Sequence, residues 1–213
     1  MKRDLVFDYF KKFYNASNYI VTIVGNADFD KVCNYLEKNF DFIDKNIAQV
    51  KIKKINKETI EEREGIDQAH FVFAAHAPLI DENDYYALEV LNAYLADGMS
   101  SKLFLKIREE KGLAYIVKGS INAEKNYSYY SIYVGTRKEA IPEIKKIIIE
   151  EFSKIKDMHE EEILEIKEQL IGLRKISSEE SIHVMTELLF NEIAVGAENY
   201  YKHEKNIKRV TLE

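Results

Sequence analysis

Tryptophan is absent from the sequence, cysteine occurs once and proline twice in 213 residues. A single thiol, Cys33, excludes an internal disulfide and a zinc-cysteine cluster, and it points to a reducing, cytoplasmic compartment. Its setting, DKVCNYLEKNF, puts it on the apolar side of a helix, where free cysteine packs as a small hydrophobe. Scarce proline leaves long helices uninterrupted. No apolar run reaches the ~18 residues of a membrane span, and the opening MKRDLVFDYF lacks a signal peptide's apolar stretch. A basic stripe is missing too: 31 Lys+Arg are interspersed with 37 Asp+Glu, giving a net charge of −6. Nucleic acid is therefore not expected as a partner.

What is present is ordinary globular composition, 46% hydrophobic and 32% charged, with no linker or short repeat. One domain over residues 1–213 is the simplest expectation. Apolar spacing predicts helices over 4–14, 28–39, 82–98 and 102–111, then 138–156, 159–176, 179–195 and 198–208. NYIVTIVGN (18–26), ETIEERE (58–64) and DQAHFVFAAHAP (67–78) read as strands, the last two joined across Gly65. AYIVKGSINAE and YSYYSIYVGT read as a hairpin turning near Lys125-Asn126. The connection 42–57 is charged and has no assigned structure. Ser100 or Ser101 is expected to cap the helix at 102, and Gly112 to close it. This order suggests an α+β, two-layer α/β domain, with helices banked on a mixed, largely antiparallel sheet.

Metal chemistry finds no pattern. The histidines are His70, His76, His159, His183 and His203, and no His-x-x-Glu-His or its reverse occurs. His70 and His76 share a strand face, but six residues of strand separate them by ~20 Å. Glu180, His183 and Glu187 align on a helix, yet no second such set completes a site. IVGNADFD has one glycine where a dinucleotide loop needs three.

The stretch GMSSKLFLKIREEKGLAY (98–115) carries the remaining signal. Arg108 lies in the last turn of a short helix, Gly112 reverses the chain, and Tyr115 enters the next strand. Such a hinge can aim a planar fork of donors and one hydroxyl at a common peptide carbonyl or carboxylate. On the residues alone, a buried salt bridge for Arg108 and a core-edge ring for Tyr115 is the simpler account.

The same stretch closely resembles the signature of the second half of the M16 zinc metallopeptidases, the pitrilysin and mitochondrial-processing-peptidase family: Gly-x-Ser-Ser-Arg-Leu-Phe, then Arg-Glu-x-x-Gly-Leu-Ala-Tyr. YFKKFYNASNYIVTIVGNADFD, DQAHFVFAAHAP, NDYYALEVLNAYLADG and the closing IKRVTLE are similar to other parts of that half, so the resemblance spans essentially the whole chain. Lys102 stands where arginine is usual, and Ala16 where proline is usual.

The resemblance implies the metallohydrolase fold of the LuxS and processing-peptidase proteins. It also implies a clamshell enzyme whose first, catalytic half or subunit holds zinc through His-x-x-Glu-His and is this chain's partner. Arg108 would grip the peptide substrate and Tyr115 would donate to the scissile carbonyl, while this chain alone holds no metal and has no catalytic residue. The chain is then expected to be a piece of a longer protein, with Met1 an added start and Leu212-Glu213 either native or added. A non-proteolytic scaffold subunit and a separate subunit of a heterodimeric peptidase stay open, as does a homodimer through tyrosine-rich faces carrying Tyr127, Tyr129 and Tyr133.

Overall fold

The computed structural model describes residues 2–40 and 52–212. The chain divides into two compact units, one of Met1–Lys51 with Ser177–Tyr200 and one of Ile52–Ile176 with Tyr201–Glu213.

Three α-helices dominate the described part of the first unit. Helix α1 runs Arg3–Phe13, and α2 runs Phe29–Asn39 behind an N-cap at Asp28, whose carboxylate accepts from Lys31 N at 3.1 Å. Helix α6, Ser181–Ala194, completes it. Apolar side chains line these helices, yet Leu5, Phe7, Tyr9 and Phe10 of α1 are all exposed, and α6 buries Ala194 alone. Cys33 is half-buried on α2, beside Val32 and Leu36, as its apolar setting suggested. Glu180 and His183 lie 3.5 Å apart on this unit.

Two expected strands do not form. Residues 18–26 are extended after a short turn at Ala16–Asn18, but no described backbone pairs with them, and Ile20, Val21 and Ile23 stay exposed. β-branched residues report a fit to a covered, pleated surface, and without a ladder partner they leave only an extended chain. Residues 58–64 are likewise unpaired. They belong to the second unit, and their glutamates pair with lysines of that same unit, Glu58 with Lys145 at 2.7 Å and Glu62 with Lys138 at 2.8 Å. Each lysine holds its exposed carboxyl below the ordinary value. Residues 42–51 of the unassigned connection fall outside the described residues.

The second unit holds the sheet. Strands β1 (Ala69–His76), β2 (Ala114–Ala123) and β3 (Ser128–Thr136) are antiparallel in the order β1-β3-β2, with β2 and β3 forming the expected hairpin. Strand β1 follows Gly65, which turns the chain at φ +77°. One face of the sheet is buried through Val117, Tyr130, Ile132 and Val134. Helix α3 (Tyr85–Leu95), a π-helix (Phe104–Glu110), α4 (Ile141–Lys154), α5 (Glu160–Ser177) and α7 (His203–Arg209) supply the matching core, with Leu95, Leu103, Ile107, Ile144, Ile148 and Ile207 fully enclosed. The sheet backed by helices is the expected α+β arrangement.

The other face is open. Across it, Val72, Tyr133 and Lys118 form one cross-strand row, and His76, Tyr129 and Asn122 another. Tyr129 is exposed and Tyr127 and Tyr133 are half-buried, so none of the three belongs to the core.

Gly119 positions β2 against α3. Its N–H donates to Ala96 O at 2.8 Å, closing the strand's free edge against the helix end. A Cβ there would meet Ala96 Cβ at 2.9 Å and Asn92 Oδ1 at 2.0 Å, so only glycine permits this approach.

Candidate substrate-binding site at the Arg108–Tyr115 turn

The segment before β2 is wound wider than an α-helix. Phe104–Glu110 has π-helical hydrogen bonding, which periodicity alone reads as an α-helix over 102–111. Leu103 and Ile107 face the core and Arg108 faces outward. Ser101 does not cap this helix. Its hydroxyl donates backward to Gly98 O at 2.8 Å, tightening the preceding turn, because Ser101 is itself buried.

Gly112 ends the π-helix at φ +60°. Its N–H donates to Arg108 O at 3.1 Å, and Leu113 N–H donates to Ile107 O at 2.9 Å. Both bonds reach one residue further back than the pair that closes an α-helix, which follows from the wider winding. Thr136, buried at the end of β3, donates its hydroxyl to Leu113 O at 2.6 Å, and Lys111 pairs with Glu143 of α4 at 2.6 Å. The turn is thus fixed on both sides of Gly112. Farther back, Lys102 meets Glu162 of α5 at 3.0 Å and lies 5.1 Å from the Tyr94 ring centroid.

Strand β2 then opens with a bulge. Ala114 pairs with Thr136 and Ile116 with Gly135, leaving Tyr115 as the extra residue. A bulge re-aims the side chain it carries. Tyr115 and Ile116 both face out between buried Ala114 and Val117, and Tyr115 is 83% exposed. Arg108, 43% exposed, lies 4.8 Å from the Phe104 ring centroid, and its Nε sits 3.5 Å from the carboxylate of its neighbour Glu109. Neither residue matches the simpler sequence account, for Arg108 is in no buried ion pair and Tyr115 is not at the core edge. No hydrogen bond joins the two side chains, and among the described residues the Tyr115 hydroxyl has no partner. Two outward donor groups, a planar charged one beside Glu109 and Phe104 and a neutral one, flank a fixed turn.

The profile of the Peptidase M16 inactive domain matches residues 1–170. The chain belongs to the M16 peptidase inactive-domain family. This M16 domain is 24% identical over 205 residues to an uncharacterized zinc protease of Streptomyces coelicolor, covering 91% of the chain and 45% of that protein. It is 26% identical over 202 residues to a probable inactive metalloprotease of Bacillus subtilis, covering 90% of the chain and 46% of the relative. The crystal structure of a protease from Helicobacter pylori shares the fold at a TM-score of 0.85, with 18% identity, over 100% of the chain and 54% of the solved one. The M16 domain therefore spans about half the length of the relatives it matches.

Among the described residues, no group of three His, Cys, Asp or Glu side chains could hold a metal ion. His70 Nδ1 is 2.7 Å from the Tyr133 hydroxyl, and His203 Nε2 is 2.6 Å from Glu89. No helix among the described residues is long and apolar enough to cross a membrane.

Sequence reasoning missed Thr136 and the bulge, which together set where Tyr115 points. It also passed over Lys118. That residue's outward position could have been found from the alternation Val117-Lys118-Gly119.

Proposed function

We propose that residues 1–213 act as one domain, the substrate-binding C-terminal half of an M16-type zinc metalloendopeptidase. It closes over a catalytic half or subunit that carries the zinc. The observation behind this reading is the bulge that turns Tyr115 outward beside the fixed Gly112 turn, with its hydroxyl unpartnered among the described residues. In this reading Tyr115 donates to the scissile carbonyl oxygen as it gains charge, and the Arg108 fork binds a neighbouring peptide carbonyl or carboxylate. Both groups act from the wall opposite the catalytic half, so they engage substrate only when the halves close. The chain alone cleaves nothing, and its single cysteine suits the cytoplasm.

The test is turnover of a peptide by this chain reconstituted with its catalytic half. Tyr115→Phe is expected to lower kcat/KM by about 10²–10³. Arg108→Ala should chiefly raise KM. Unchanged turnover in both variants would defeat the assignment. A second reading, a non-proteolytic subunit, is favoured by the similarity to the probable inactive metalloprotease of Bacillus subtilis. It predicts that no peptide is cut by the reconstituted pair.

A further inference from the structure

The three strands contain no aspartate or glutamate, although the chain as a whole carries 37 acids against 31 Lys+Arg. The charged or titratable side chains on the open sheet face are instead Lys118, His70 and His76, with tyrosines between them. Elsewhere in the same unit, Lys102, Lys111, Lys138, Lys145 and Lys154 each hold a glutamate. Lys118 is exposed, and among the described residues no carboxylate lies within ion-pair distance of it, as is also true of Lys125, Arg137 and Lys156; what sets it apart is its place on the open sheet face.

Its neighbour fixes its surroundings. Tyr133 stands directly across the ladder from Lys118. The Tyr133 hydroxyl is held by His70 Nδ1 at 2.7 Å, and the two rings stack at 5.9 Å between centroids. The tyrosine's place in the ladder is thus fixed, next to the strand position that carries Lys118. Lys118 also lies on the same side of β2 as Tyr115, three residues on, or about 10 Å at strand rise. An extended peptide covers that distance in about three residues.

We propose that Lys118 is a specificity residue that selects extended peptides carrying a glutamate or aspartate about three residues from the bond facing Tyr115. The position relative to the bond rests on the substrate-binding reading above. The preference for acid rests on the face itself, which offers the Lys118 charge and aromatic surface and, on its three strands, no carboxylate.

The experiment measures binding of the 213-residue chain to three fluorescein-labelled decapeptides by anisotropy. The peptides are identical except for Glu, Gln or Lys at one central position. The Glu peptide is expected to bind tightest, roughly two- to fivefold over Gln, with Lys weakest. The ranking should shrink as salt rises from about 0.05 to 0.5 M. Lys118→Gln should abolish it, Lys118→Glu should invert it, and Lys118→Arg should keep it.

Equal binding of all three peptides, or a ranking that survives in Lys118→Gln, overturns the proposal. If binding is equal but Arg108→Ala weakens all three, the substrate-wall reading stands and the selectivity falls. If the ranking holds while Arg108→Ala and Tyr115→Phe change nothing, the acid preference stands without its scissile-bond position. If no peptide binds, both fall. A concentration-dependent dimer that Lys118→Glu breaks would assign the face to a second copy of the chain and overturn the peptide assignment.

Discussion

Two glycines in this chain are needed for opposite reasons. Gly112 sits at φ +60° with open space where a Cβ would go, so its requirement is purely conformational. Gly112→Ala should cost about 1–2 kcal/mol, read as a lower urea midpoint. Gly119 has ordinary backbone angles and no room, since Ala96 Cβ cannot swing aside. Gly119→Ala should cost about 1–3 kcal/mol by overpacking, and the same urea titration would show it. Lys102 and Glu162 add a pH-dependent increment. The His159 backbone N–H and then the Lys102 ammonium hold the Glu162 carboxyl below its ordinary 4.5, and the Glu162 hydrogen bond holds Lys102 above its ordinary 10.5. A lowered acid stabilises above its unfolded value and fails as pH falls through its folded one. A raised base stabilises below its unfolded value and fails as pH rises through its folded one. The pair therefore supports the fold across the neutral range. Glu162→Gln should lower stability at pH 7 by no more than about 1 kcal/mol, since the pair is partly exposed, and by less near pH 3. Equal losses at both pH values would contradict this.

At the scale of elements, α5 holds α7 through one buried lysine. Lys167 donates to Lys208 O at 3.3 Å and also to Val210 O, satisfying carbonyls at the end of α7. Lys167→Met keeps the stem and removes the donors, so it should cost about 1–3 kcal/mol in thermal unfolding. Most elements were legible in the sequence because their apolar period matches how they are buried. Leu88 and Leu95 on α3, Ile144 and Ile148 on α4, and the alternation through Tyr130, Ile132 and Val134 are the plainest cases. The π winding of Phe104–Glu110 was not legible, because a one-residue change in bond partner leaves Leu103 and Ile107 inward in either helix. The bulge at Tyr115 was hidden for a related reason, since pairing depends on Thr136 and Gly135, twenty residues away in β3. Residues 18–26 show the converse. Their composition is that of a strand, but among the described residues no second segment completes the ladder.

For the whole molecule, the described histidines are spent on local partners or stand apart, and the reading proposed above leaves the zinc chemistry to another half or subunit. The isolated chain, dialysed against a weak chelator, should retain no stoichiometric zinc by elemental analysis. The two-unit organisation has a further consequence, for synthesis rather than for substrate. Helices α1 and α2 leave the ribosome before the sheet unit, but α6, the helix grouped with them, begins only at Ser181. Roughly 140 residues intervene, which at about 5–20 residues per second is a wait on the order of 10 s. The whole sheet unit up to Ile176 can be made in that interval. Throughout it the first unit lacks its third helix, and nascent chains stalled before α6 are the species most exposed to aggregation and to chaperone capture.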